Sequence, residues 1–299
     1  MKVDNLIKSL ETEIKQTQAG IEQTESLERL KAIAKVYSGD DEIVSFQDIA
    51  EQIKNKPPEI KTSSGINGID KLMYGGFMKG TVTTVSATPK SGKTSFCMYL
   101  TTKMEEGNPL WLALEESSTS LIRKLLKVGA KIPTGYSPKS TTNVSMDWIE
   151  SKIVESIAKN NTQIVFIDQL DFIVPQEGSD GRHDLKIGQT MRLLHQIAVR
   201  WNIIIFLICH VNSMEPDVKP TTRNLRGSST IWGESDNVIL LWRECFKEDG
   251  QLVYTNNLLV SLQANREDGD TGNIKMIYKN GVFVEEEWES NTSKALKDW

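Results

Sequence analysis

Residues 86–94, "SATPKSGKT", bring a glycine, a lysine and a threonine together at the end of a short polar run. Backbone N–H groups over residues 90–95 can wrap a polyphosphate, and a helix starting there aims its positive dipole end at the same point. Gly92 lets the backbone approach, Lys93 reaches the outer phosphates, and the Thr94 hydroxyl can hold Mg²⁺. Thr88, Pro89, Lys90, Ser91 and Ser95 complete the cradle. The β-branched "TVTTV" before the loop reads as a strand and "SFCMYLTTKM" after it as a helix, the context such a loop requires. The chemistry indicated is that of a nucleoside triphosphate.

Other residues are placed to complete it. Asp168 closes the apolar run "IVFID", where a second carboxylate supporting Mg²⁺ belongs. Hydrolysis also needs a group that orients or deprotonates water. Glu115 and Glu116 in "LALEES" both qualify; strand alternation admits one of them, and the residues alone leave the choice open. His210 ends "IIIFLICH", so it would emerge at the same sheet edge as Lys93 and Asp168 and could contact the γ-phosphate. His183 and His195 have no such placement and read as surface or packing residues.

Behind His210 comes "VNSMEPDVKPTTRNLRGSST", a long polar loop with two prolines. Lys219, Arg223 and Arg226 give it a basic character that suits a sugar–phosphate chain, although a solvated loop accounts for the composition equally. Arg266 in "QANREDGDTG" has no evident partner in the chain; in a ring of subunits it could serve as an arginine finger.

The elements that must position these groups alternate. Apolar runs such as "TVTTVSA", "PLWLALEE", "QIVFIDQLDFIV" and "IIIFLICH" are separated by amphipathic stretches. This pattern predicts a parallel sheet covered on both faces, an α/β fold. "NVILLWR", "NLLVSLQANR" and "GNIKMIYKNGVFVEEEW" follow with little helix between them and read as strands added at the sheet's end. Four segments are expected: a helical region over 1–38, a linker with a short helix over 39–60, the main domain over 61–289 and a tail over 290–299. The apolar residues Val3, Ile7, Leu10, Ile14 and Ile21 recur near a heptad. That helix either packs on its own domain or pairs with another chain.

The chain has 299 residues, net charge −5 and 38% hydrophobic residues, which does not favour a protein coated in nucleic acid but leaves room for a local basic channel. Three scattered cysteines argue against a disulfide framework or a zinc site. The polar N-terminus and the lack of a long apolar run lead us to expect a cytoplasmic protein without a membrane segment, in a host cytoplasm if the gene is viral.

Taken in order, "SATPKSGKT", "LALEES", "IVFIDQLDFI", "FLICH", "NLRGSSTIWGESDNVILLWR" and "ANREDGDTG" resemble the RecA-type P-loop motor of hexameric replicative DNA helicases, the DnaB and Twinkle group. The likeness is strongest to the helicase half of short-tailed-phage primase–helicases and covers about residues 61–287. The resemblance implies a RecA-like core that uses ATP or another NTP or dNTP with Mg²⁺. It implies a homo-oligomeric, hexameric ring on single-stranded DNA, with a primase, polymerase or loader as partner. It makes Glu115 the catalytic base, His210 the γ-phosphate sensor and Arg266 the finger acting on a neighbour. It sets Arg243 near the nucleotide base and makes the loop with Asn212, Lys219, Arg223, Arg226 and Gly227 the tracker of DNA. The helix over 45–56 resembles the linker helix that docks on the adjacent subunit. Two departures stand out: Ala264 replaces a lysine two residues before the finger, and "RGSS" replaces "RGSG" or "RESG". No zinc-binding or primase module is seen ahead of the motor. Other readings are a RecA- or KaiC-like ATPase that does not unwind and a ring-shaped adaptor whose ATPase controls assembly. The acidic tail "VEEEWESNTSKALKDW" is read as solvated or as a partner-docking segment.

Overall fold

The computed structural model describes residues 20–37, 44–55, 61–88, 91–127, 132–141, 144–175, 183–211, 214–224, 228–249, 251–267, 269–279 and 282–286. Among the described residues three helices come first, α1 (Gly20–Tyr37), α2 (Phe46–Asn55) and α3 (Asn67–Leu72). Strand β1 (Thr81–Ala87) leads to α4 (Lys93–Lys103), and β2 (Leu110–Ala113) to α5 (Ser118–Lys127). Next come α6 (Met146–Asn160), β3 (Ile164–Asp168), α7 (His183–Trp201) and β4 (Ile204–His210). The short α8 (Ser228–Glu234) precedes β5 (Asn237–Glu248), β6 (Gln251–Asn265), β7 (Gly272–Lys279) and β8 (Val282–Glu285).

The strands form one sheet in the order β2-β3-β4-β1-β5-β6-β7-β8. The first five are parallel and the last three join antiparallel. The unbroken apolar strands follow from this, because each central strand is covered on both faces. On one face Val82, Leu112, Val165, Ile167, Ile205, Leu207 and Leu240 pack with residues of α1, α6 and α7. On the other, Val85, Trp111, Phe166, Phe206, Ile208 and Ile239 pack with residues of α3 and α4. Trp111, Phe166 and Phe206 occupy one register row across β2, β3 and β4. Their rings stack at 4.8 Å between successive centroids, a cross-strand aromatic ladder through the core.

Helix α1 buries Leu30 and Ile33 in the same core as α6 and α7, so its described part packs on its own domain. The heptad positions Val3, Ile7, Leu10 and Ile14, and the tail over 290–299, lie outside the described residues. Helix α2 behaves differently. Ser45 and Asp48 cap its start reciprocally, the Asp48 N–H donating to Ser45 Oγ at 3.1 Å. It buries no residue, and Phe46 and Ile53 are 88% and 67% exposed.

Candidate active site

Strand β1 ends at Ala87, and the chain turns through Gly92 into α4. Gly92 has φ +86°, and a Cβ added there would meet no heavy atom within 4 Å. Glycine is therefore required by the backbone conformation, not by crowding. The Thr88 and Ser91 hydroxyls bond each other at 2.5 Å inside the turn. Pro89 and Lys90 lie outside the described residues.

Three parallel strands bring the reactive groups together. Ala87 of β1 pairs with His210 of β4, and β4 lies between β1 and β3, which ends at Asp168. Buried Lys93 donates from Nζ to the Ala87 carbonyl at 3.2 Å and sits 3.1 Å from His210 Nδ1. An ammonium carries only donors, so Nδ1 accepts and the imidazole proton resides on Nε2. Burial pulls the Lys93 pKa below the usual lysine value, opposed in part by Asp168 and Glu115. The Thr94 hydroxyl donates to Asp168 Oδ2 at 2.9 Å.

Asp168 is 3% exposed, and its Oδ1 has no hydrogen-bond partner among the described residues. Burial pushes this carboxyl up to about 6, aided by Glu115 and Glu116 and opposed by the Thr94 hydroxyl and Lys93. A buried carboxylate with an orphaned oxygen beside a hydroxyl fits a hard, oxygen-seeking cation such as Mg²⁺. Gln169 Oε1, also buried and without a partner among the described residues, adds a second oxygen that the sequence reasoning missed.

The two candidate bases separate here. The Leu114 and Glu115 N–H groups donate to the Asp168 carbonyl at 2.7 and 3.0 Å, fastening the exit of β2 to the end of β3. Glu116 is bound by Lys124 at 2.7 Å. Glu115 is exposed, and its charge acts on both Lys93 and Asp168.

A pocket of about 130 Å³ opens beside the turn at Gly92. Ser91, Gly92 and Ser95 line one side, and Arg243, Tyr278 and Phe283 are among the residues facing them. Arg243 donates to the Thr255 carbonyl at 2.8 Å and lies over the Tyr254 ring. Aromatic rings next to a phosphate cradle suit a nucleobase.

In the loop after β4, Lys219 lies 5.1 Å over the Trp242 ring, and Trp242 and Cys245 both donate to the Pro216 carbonyl. Arg223 is exposed on the turn Thr222–Asn224. Asn212, Arg226 and Gly227 lie outside the described residues.

Arg266 does not join the cluster. It follows Asn265, whose register partner is Asn237, and Asn237 pairs in turn with Thr83 near the start of β1. Lys93 follows the other end of β1, so the two lie at opposite edges of the sheet, at least four residues or roughly 13 Å apart along the strand.

The family model for the DnaB-like helicase C-terminal domain matches residues 135–284, half of the chain. The chain belongs to this family. It is 25% identical over 272 residues to a probable replicative DNA helicase of Trieres chinensis, covering 77% of this chain and 59% of that protein. It is 20% identical to the replicative DNA helicase DnaC of Bacillus subtilis (strain 168), covering 80% and 59%. The chain thus spans about six-tenths of the length of these curated relatives. Among solved structures, one described as an ATPase domain aligns with a TM-score of 0.66 at 19% identity, covering 82% of this chain and all of that one. A DnaB-like replicative helicase whose structure is described with its interactions with primase aligns at 0.65, covering 94% and 76%. These likenesses show a RecA-like ATPase fold. Among the described residues no helix is long and apolar enough to cross a membrane, and no group of three or more His, Cys, Asp or Glu side chains is placed to hold a metal ion. The three cysteines are free and buried.

Proposed function

We propose that this DnaB-like domain is the motor of a ring-forming helicase that hydrolyses ATP or a related triphosphate, moves along single-stranded DNA and separates duplex strands in replication. One observation carries the reading. Lys93, Thr94, Asp168, His210 and Glu115 converge at one sheet edge, while Arg266 sits at the opposite edge. A complete hydrolytic site then needs two copies of the chain in contact.

Lys93 binds the outer phosphates, and Glu115 orients and deprotonates the attacking water. Thr94 and Asp168 would hold Mg²⁺, which when bound neutralises charge on the transferred phosphoryl group. His210 contacts the γ-phosphate region and begins the chain into the basic loop. Arg266 of the adjacent copy stabilises the charge that develops at reaction, and Arg243 borders the base. Lys219 and Arg223, with Asn212, Arg226 and Gly227, contact the sugar–phosphate chain of DNA. Exposed α2 docks on the next subunit, and six subunits follow from the family resemblance. A primase, polymerase or loader is the expected partner.

The test is strand separation on a labelled forked duplex with ATP and Mg²⁺, with Lys93→Ala as the blank. Separation by the wild type alone supports the reading. Hydrolysis and DNA binding without separation, with a primase and a loader supplied, would instead point to a remodelling ATPase.

A further inference from the structure

Asp236 joins three segments of chain at the sheet edge away from the phosphates. Its Oδ2 accepts from the Val82 N–H at 2.8 Å and lies 3.1 Å from His195 Nδ1. Its Oδ1 is 3.7 Å from Arg266 Nη1. The backbone repeats the link, since the Asp236 N–H donates to the Val82 carbonyl and the Arg266 N–H donates to the Asp236 carbonyl, both at 3.0 Å. Arg266 Nη2 also donates to the Gly233 carbonyl in the last turn of α8. A cation at the carbonyl end of a helix is favourably placed. The same helix packs against the turn Thr222–Asn224, which carries Arg223.

We infer that Asp236 and the Gly233 carbonyl form a clasp that positions Arg266 and ties it to α8. DNA held on the basic loop is then read, through α8, by the nucleotide site of the adjacent subunit. The clasp rests on the proposed role of Arg266 as a finger. It supplies a relay in a chain whose position 264 is alanine. Asp236 acts through Arg266 and is a positioning residue.

The experiment measures ATP hydrolysis with and without single-stranded oligo(dT), in Asp236→Asn, Arg266→Ala and the double variant. Asparagine keeps an acceptor for the Val82 N–H and loses the charge facing Arg266. The expected result is an about tenfold fall in DNA-stimulated turnover with KM for ATP within about twofold, and no further fall when Asp236→Asn is added to Arg266→Ala. A purely structural role would lower the rate equally in both backgrounds, and that result overturns the clasp. Wild-type stimulation in Asp236→Asn also overturns it. If Asp236→Asn fails to fold, Asp236→Glu, which keeps the charge but displaces it from Arg266, decides in its place. A loss seen only when Arg266 is present supports the clasp, and an unchanged ratio overturns it. Intact stimulation in Arg266→Ala removes the finger itself; its loss there with none in Asp236→Asn removes only the clasp.

Discussion

Nζ of Lys93 lies 3.1 Å from Nδ1 of His210, at the junction where β1 and β4 end side by side. The contact ties the residue proposed to bind phosphate to the start of the basic loop. His210→Ala is expected to lower kcat on the order of 10²-fold with a smaller change in KM, and His210→Gln, which keeps a polar contact, to retain more turnover. Steady-state hydrolysis decides it: equal loss in both variants would show that polarity at this position is not what matters.

Asp168 is costly to keep ionised without a cation. Its folded carboxyl titrates at about 6 against an ordinary 3.8. Between those values the folded state holds a proton that the unfolded state has lost, so this group's contribution to stability falls as pH rises through 6. Asp168→Asn should therefore stabilise the metal-free protein by about 3 kcal/mol near pH 7.5, the gap closing toward pH 4. Urea unfolding in EDTA across that range measures it; a variant no more stable at pH 7.5 refutes the argument.

Gly92→Ala tests backbone conformation alone, because the space around Gly92 is open. Forcing alanine to φ +86° costs about 1–2 kcal/mol, or shifts the loop so that it no longer fits phosphates. The expected outcome is a lower Tm, weaker nucleotide binding by titration, or both. Wild-type values in each would mean that the loop adapts freely.

The aromatic ladder gives a core test away from the chemistry. Phe166, fully buried between Trp111 and Phe206, should lose about 3–5 kcal/mol of stability when replaced by alanine. Phe166→Leu should lose clearly less. Denaturant midpoints with unchanged m-values would report this as packing rather than as a change in compactness.

Helix α2 gives nothing to the core of its own chain. Ile53→Asp should thus leave the unfolding of the dissociated chain within about 0.5 kcal/mol while shifting the assembly toward small species. Sedimentation at fixed nucleotide shows which. An unchanged assembly would remove α2 from the interface.

Strand β1 matches "TVTTVSA" residue for residue, because its run of β-branched residues favours a strand. Strand β2 stops at Ala113, short of "PLWLALEE", where the Glu115 N–H goes to the same Asp168 carbonyl as the Leu114 N–H and the chain leaves the ladder with β3. The placement of Asp168 and His210 was legible because each ends a strand, and that of Lys93 because it opens a helix after a glycine turn. The difference between Glu115 and Glu116 was not, as it depends on Lys124 reaching back from α5. His195 read as a surface or packing residue; its partner Asp236 lies 41 positions away, a separation that no local pattern encodes.

The placement of Lys93 and Arg266 at opposite ends of the sheet also limits stoichiometry. In the head-to-tail pairing of the proposed ring, each chain lends Arg266 to one neighbour and receives it from the other. An open row then always has one complete site fewer than it has subunits, with a bare finger at one end and an unfinished phosphate loop at the other. Only closure makes the two counts equal. Turnover per subunit, followed as the chain is diluted, becomes a gauge of how many circles are shut.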